Sequence, residues 1–202
     1  MKTRILTLTL LAISIFNLQG QTSAKTKEGK QVILKDDGTW YYDTTKISEP
    51  KISLDCESLV EVTTDKMTGK VNKSAKKSVI VSSDGGKKGL GIFMFKSTTT
   101  GSIIMSIKAV GEGSCIDDDN KMNVLFRDGT RLELINNGSF NCKAKFTLYF
   151  GGNWGKKKQL EKLRTKEVET MRVWTSRGYV EEDFTKEQSL QLMKTIDCLI
   201  NL

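Results

Sequence analysis

Between Lys121 and Phe150 the side chains alternate in character with a period of two, and this constrains the fold more than any other stretch. Met122, Val124 and Phe126, then Leu132 and Leu134, then Phe140, Cys142, Ala144, Phe146, Leu148 and Phe150 stand at every second position. Successive side chains of a strand point to opposite faces, so the pattern predicts three strands with one buried face each. Asp128-Gly129 and Asn136-Asn137-Gly138 separate them. Such residues reach positive φ at little cost and close tight hairpins, so the expected arrangement is a three-stranded antiparallel meander.

Residues 54–202 read as one β-rich core domain built around that meander. Leu54 to Val62 is expected as its first strand, with Cys56, Val60 and Val62 inward, and residues 63–77 as a polar segment turning at Thr68-Gly69. Ser78–Val81, Ile92–Phe95 and Ile103–Val110 follow as strands, with Asp84 to Gly91 as a mobile glycine-rich loop between the first two. After a glycine turn around Trp154, residues 159–166 read as a short helix, and 167–175 with 179–184 as a hairpin closed by Ser176-Arg177-Gly178. Thr185 and Gln188 are spaced as a capping box, which predicts a helix from Lys186 to about Ile200. Its apolar side is Leu190, Leu192, Met193, Ile196, Leu199 and Ile200. The fold class is α+β, mainly antiparallel β as a sheet or sandwich, with a C-terminal helix packed on it.

The N-terminal fifty residues have a different character. Lys2 and Arg4, a short apolar run from Ile5 to Phe16 and a polar tail of small residues read as a secretory signal peptide over 1–20, cleaved after Gly20 or Ala24. The run is too short to span a bilayer comfortably. Loss of that segment takes the formal charge from +8 to +6 and leaves the chain basic. Residues 24–43 read as a small β-hairpin unit, with Val32-Ile33-Leu34 and Trp40-Tyr41-Tyr42 as its strands. Residues 44–53, which hold Pro50, read as a linker.

Gly29-Lys30, Val32, Leu34 and Asp37-Gly38-Thr39-Trp40-Tyr41 resemble a short D-G-T-W-x-Y hairpin module near the start of many exported bacterial proteins of unknown function. Residues 54–202 are similar to the core of such proteins through Asp65-Lys66-Met67-Thr68-Gly69, Phe126-Arg127-Asp128-Gly129, Asn141-Cys142, Met171-Arg172-Val173 and Ile196-Asp197-Cys198-Leu199. The signal peptide implies a periplasmic or secreted location, and the resemblance implies a shared fold. It implies no activity, and no catalytic residue can be carried over from it.

The chain contains no histidine. That excludes Ser-His and Cys-His pairs, histidine general bases and histidine metal sites. No catalytic residue, cofactor or metal ligand is assigned from the sequence. Asp117-Asp118-Asp119 fails as an EF-hand loop, because Lys121 falls where an oxygen ligand is needed and Met122 where glycine is needed. Asp84 to Gly91 lacks the residue order of a phosphate-binding loop. The best basic cluster is Lys156, Lys157, Lys158, Lys162 and Arg164, continued by Lys166, with Trp154 beside it. Either a solvated helix start or a grip on an anionic polymer or glycan accounts for it. The lysines elsewhere are scattered with few aromatics between them, so nucleic acid is not an expected partner. The functional expectation is a non-enzymatic binding or structural accessory of the cell envelope. Its partner is an anionic envelope polymer or another envelope protein, and no membrane span follows signal cleavage. An adhesin-like polymer binder stands second, and an enzyme without histidine chemistry third.

Four cysteines in an exported chain permit three pairings. First and third strands of a meander start at the same end, roughly 10 Å apart. That favours Cys115 with Cys142, bridged by the loop 116–120. Cys198 points roughly 175° from the centre of the final helix's apolar arc, at about 100° per residue. It is expected to tie down a strand on the helix's far side, with Cys56 as partner. Four free buried thiols are the alternative.

Overall fold

The structure, a computed structural model, describes residues 22–26, 31–35, 37–42, 54–111 and 115–202. The expected signal peptide (1–20) and linker (44–53) lie outside the described residues. The chain divides into two compact units, Met1–Lys51 and Ile52–Leu202.

In the first unit, β1 (Thr22–Lys25), β2 (Gln31–Leu34) and β3 (Trp40–Tyr42) form an antiparallel sheet in that order. The β2–β3 turn is tied by Asp37, whose Oδ1 accepts from the Thr39 amide at 2.8 Å and the Thr39 hydroxyl at 2.6 Å. Those two donors hold the Asp37 carboxyl below its ordinary range. The sequence pattern predicts only the β2–β3 pair. β1 falls largely in the stretch read as a polar tail, where no apolar alternation marks a strand.

The second unit begins with a single helical turn, α1 (Cys56–Leu59), whose N-cap Asp55 accepts from the Ser58 amide. Strands β4 (Val60–Thr64), β5 (Val71–Ala75), β6 (Val79–Ser83), β7 (Lys88–Lys96) and β8 (Ile103–Val110) follow. Then come β9 (Lys121–Phe126), β10 (Arg131–Ile135), β11 (Lys145–Phe150) and α2 (Lys157–Thr165). The hairpin β12 (Val168–Thr175) and β13 (Gly178–Asp183) leads into α3 (Lys186–Asn201). Two antiparallel sheets result. One runs β11-β8-β7-β5-β4, with β6 sharing β7's outer edge, and the other runs β10-β9-β12-β13.

One apolar cluster takes side chains from both sheets and from α3. Leu90, Ile92 and Met94 of β7, Met105 and Ile107 of β8 and Phe146, Leu148 and Phe150 of β11 line it from the six-stranded sheet. Met122, Val124, Phe126, Met171 and Val173 line it from the four-stranded sheet, and Leu192, Ile196 and Leu199 from α3. Each fully buried side chain of this size stabilises by about 1.5–3 kcal/mol relative to leaving it in water. Ser83 Oγ of β6 donates to the buried Glu182 of β13 at 2.8 Å, a polar tie between the sheets. The fold is thus mostly antiparallel β with a C-terminal helix packed against it. The Thr185–Gln188 capping box closes as its spacing predicts.

The expected meander is two strands, not three. β9 and β10 pair across Asp128-Gly129, but β11 pairs with β8 in the other sheet. Period-two alternation reports that one face is buried and does not report which strand lies alongside. The segment Asn136 to Ala144 is the crossover. Asn136 is buried there, donating to the Asp117 and Gly138 carbonyls and accepting from the Thr147 amide. Phe140 is exposed and Ala144 sits at φ 51°, so the alternation before Lys145 is not strand.

Other boundaries move for local reasons. The Asp55 cap turns Cys56 to Leu59 into helix, and Val62 is exposed rather than inward. β5 was invisible as a polar segment because it lies near the sheet's end, where only Ala75 is buried. The expected mobile loop at Asp84 to Gly91 shrinks to a 3-10 turn over Asp84–Gly86, with β7 already running from Lys88. In α3 Leu190 is exposed while Ser189, Thr195 and Cys198 are buried.

Both disulfides pair as the sequence predicts, Cys56 with Cys198 and Cys115 with Cys142. The surroundings differ from the expectation. Cys56 lies on α1, not a strand, and Cys198 is buried against it. Cys142 is exposed in a turn, not inward on a strand, and an isolated bridge between Ile116 and Asn141 brings it to Cys115. Two disulfides fit folding in an oxidising compartment outside the cytoplasm. Among the described residues no helix is long and apolar enough to cross a membrane.

Candidate binding surface

The basic cluster expected around Trp154 is divided by the structure into tied and untied groups. Lys156 is half-buried, and its Nζ donates to Asn137 Oδ1 at 2.7 Å; burial holds its pKa below the ordinary lysine value. Arg164 is held by Glu161 at 2.8 Å and Asp197 at 2.9 Å, which raise its pKa further. Lys166 pairs with Asp128 at 2.7 Å. Lys157, Lys158 and Lys162 remain exposed, with no ion pair among the described residues. A ligand of this region therefore meets three lysines, not six cations.

Trp154 is aimed by an unusual turn. Gly151, Gly152, Gly155 and Lys156 all have positive φ, and the amides of Trp154 and Gly151 close the turn onto the Gly151 and Gly155 carbonyls. A Cβ on Gly152 would stand 2.6 Å from Ser102 Oγ and 2.7 Å from the Thr100 carbonyl, so only glycine fits. The turn folds the indole back onto Tyr149, stacked at 4.7 Å with rings 20° apart, while Trp154 keeps 48% of its surface in solvent.

Tyr149 is the end of a row crossing the outer face of the six-stranded sheet. The register places Phe95 of β7 beside Ile104 of β8, and Ile104 beside Tyr149 of β11. Phe93 stands next to this row, 6.3 Å from the Phe95 ring, and is 37% exposed. Ile80 of β6, 58% exposed, lies over Gly91. Strands β6, β7, β8 and β11 contain no aspartate or glutamate, and of their lysines Lys108 and Lys145 alternate onto the outer face. Lys108 Nζ donates to the Lys143 carbonyl and keeps its charge at the surface. The outer face thus joins an aromatic row to lysines at the β11 edge.

The outer face of the four-stranded sheet holds a depression of about 720 Å³, lined among others by Asn123, Glu133, Thr170, Arg172, Glu181 and Asp183. Most of its polar groups satisfy one another, although Arg131, also in its lining, has no ion pair among the described residues. Arg172 pairs with Glu181, Thr170 Oγ1 donates to Asp183, and Lys121 and Asn123 both bond Glu133. Trp174 donates its indole N–H to Asn123 Oδ1 at 2.7 Å and meets Tyr179 edge-on at 5.2 Å, with Arg172 over the Tyr179 ring at 4.4 Å. These are cross-strand pairs of the β12–β13 and β9–β12 registers, the usual unit of sheet stabilisation.

Sequence reasoning found Trp154 and its lysines but not Phe93, Phe95, Ile104 and Tyr149. A signal for them was present. LGIFMF is a near-continuous apolar run, and in FTLYF Tyr149 sets an aromatic ring between the alternating Leu148 and Phe150, which is how strands with apolar area on both faces read. Comparison with family models finds no match, comparison with curated proteins finds none, and comparison with solved structures finds none, so this surface is read from its own chemistry.

Proposed function

We propose that the chain is an exported protein of the cell envelope, periplasmic or secreted, that acts as a non-enzymatic binding or structural accessory. The observation supporting this reading is the junction at Trp154: an exposed, sterically aimed indole continuous with an aromatic row, next to lysines that no carboxylate among the described residues neutralises. Folding alone gains little by leaving such area and charge in water. Two disulfides suit the export that the reading requires.

A second reading is favoured by Lys157, Lys158 and Lys162, which stand exposed on one short helix: the partner is an anionic polymer or glycan held by Trp154 to Lys166. A pull-down from native envelope extract tests both. The chain is expected to retain an envelope component, and Lys157→Glu with Lys158→Glu to abolish retention while the thermal transition stays unchanged. Lys156 is left alone because Asn137 already engages it. Retention that survives the double substitution would contradict a role for these lysines, and retention of nothing at low salt would contradict the binding function.

A further inference from the structure

We infer that the outer face of the six-stranded sheet is a docking surface for an anionic lipid membrane, which the chain meets edge-on at β11 and α2. The inference rests on the envelope reading above and names the partner.

Three features of the face carry it. The first is its apolar content. Phe95, Ile104, Tyr149 and Trp154 form one row, with Phe93 beside it. At the usual strand spacing the row is about 15 Å long. Half-exposed tryptophan and tyrosine rings favour the boundary between headgroups and acyl chains, being apolar in body and polar at one end. The second is charge. Strands β6, β7, β8 and β11 of the face contain no acidic residue, and among the described residues Lys157 and Lys158 follow Trp154 without ion pairs. The acid of the neighbouring strand, Glu61 on β4, accepts from Ser74 Oγ at the far end of the row. The face is therefore polarised along the row, basic at the Trp154 end. The third is rigidity. Trp154 is fixed by its glycine turn and by the stack on Tyr149, so ordering it on contact costs little.

The acidic turn Asp117 to Asp119 borders the β11 edge through Asn136, which donates to the Asp117 carbonyl and accepts from the Thr147 amide. It limits the basic field on the Lys145 side, so the electrostatic work falls to Lys157 and Lys158. A water-soluble polyanion would use these lysines and leave the aromatic row in water. A lipid surface uses both. Binding of this kind takes an apolar insertion together with a basic patch.

The experiment is co-sedimentation of the exported chain, recovered from an expressing host, with phosphatidylglycerol vesicles and with phosphatidylcholine vesicles. Association is expected with the first and not the second. Lys157→Ala with Lys158→Ala should weaken it roughly thirtyfold, at about 1 kcal/mol per lysine near an anionic surface. Trp154→Ala with Phe93→Ala should weaken it roughly tenfold through lost apolar burial, and Trp174→Ala should leave it unchanged. Circular dichroism melts of each variant separate loss of binding from loss of fold. Absence of sedimentation with anionic vesicles, or equal sedimentation with both, overturns the inference. So does binding that salt abolishes completely and Trp154→Ala with Phe93→Ala does not touch, which assigns the lysines to a soluble polyanion. A positive envelope pull-down with negative vesicles refutes the lipid and leaves the binding function standing.

Discussion

The two sheets bury their inner faces in one core, yet their outer faces are built on opposite plans. On the four-stranded sheet Arg172 with Glu181, Lys121 with Glu133 and Asp183 with Thr170 are cross-strand pairs, and even the exposed Trp174 and Tyr179 are engaged by Asn123 and Arg172. On the outer face of the six-stranded sheet, β7, β8 and β11 carry Lys108 and Lys145 without an acid, and the rings of Phe93 and Phe95 lie exposed or half-exposed beside the Tyr149–Trp154 stack. A face that satisfies itself gains stability from its surface. A face that does not is free to gain from something else, and that contrast is why binding is placed on the larger sheet despite the depression on the smaller one.

The most severe way to break the comparison is to remove the frame both faces share. Cys56→Ser with Cys198→Ser opens a closure spanning 142 residues, and in the chain-entropy model costs up to about 5 kcal/mol. Urea unfolding is expected to show one cooperative transition moved to much lower denaturant. Two separated transitions would mean the sheets fold independently and that their faces cannot be compared as parts of one domain.

A smaller effect sharpens the contrast directly. Trp174→Ala removes an indole hydrogen bond, an edge contact and a cation–π neighbour, and should cost about 2 kcal/mol of stability. Trp154→Ala removes one stack and should cost about 1 kcal/mol. Retention of an envelope component should follow the opposite order, lost with Trp154 and kept with Trp174. Equal stability costs would show that Trp154 is as structural as Trp174.

Acid should act on the four-stranded face, with the Asp65 carboxyl of the β4–β5 turn also lowered, by Thr68 and Met67. The Asp128 carboxyl is held well below its ordinary value by Lys166 and Thr130, and the Glu133 carboxyl is lowered by Lys121 and Asn123. Because the folded values lie below the unfolded ones, near 3.8 and 4.5, the stabilisation is complete above about pH 5. It is lost as pH falls through the folded values. The urea midpoint should hold between about pH 7 and 5 and drop below about pH 4, and Asp128→Asn should flatten that drop. A midpoint that rises on acidification would mean the carboxylates of this face repel more than they pair.

The sequence made the elements legible where their own residues decide them. Thr185 and Gln188 cap α3, Asp128-Gly129 turns β9 into β10, and β12 with β13 is marked by Ser176-Arg177-Gly178. What it did not show were choices made between elements. Phe146, Leu148 and Phe150 alternate identically whether β11 lies beside β10 or beside β8, and the buried side chain of Asn136 that settles the crossover looks in sequence like an ordinary turn residue. The disulfide pairs came out as expected although the neighbourhoods did not, because Ile116 and Asn141 bring Cys115 to Cys142 by another route. The binding surface was half legible: Trp154 and its lysines are contiguous in sequence, whereas Phe95, Ile104 and Tyr149 become a row only once the strand order is known.

The central claim, that the outer face of the six-stranded sheet is the one that meets a partner, is tested most directly by hydroxyl-radical footprinting of the exported chain with and without native envelope membranes. Protection is predicted at Phe93, Phe95, Tyr149 and Trp154, with Trp174 and Tyr179 labelled equally in both conditions. Protection of Trp174 and Tyr179, with the Phe93 to Trp154 row unchanged, would contradict the claim and move the binding face to the four-stranded sheet.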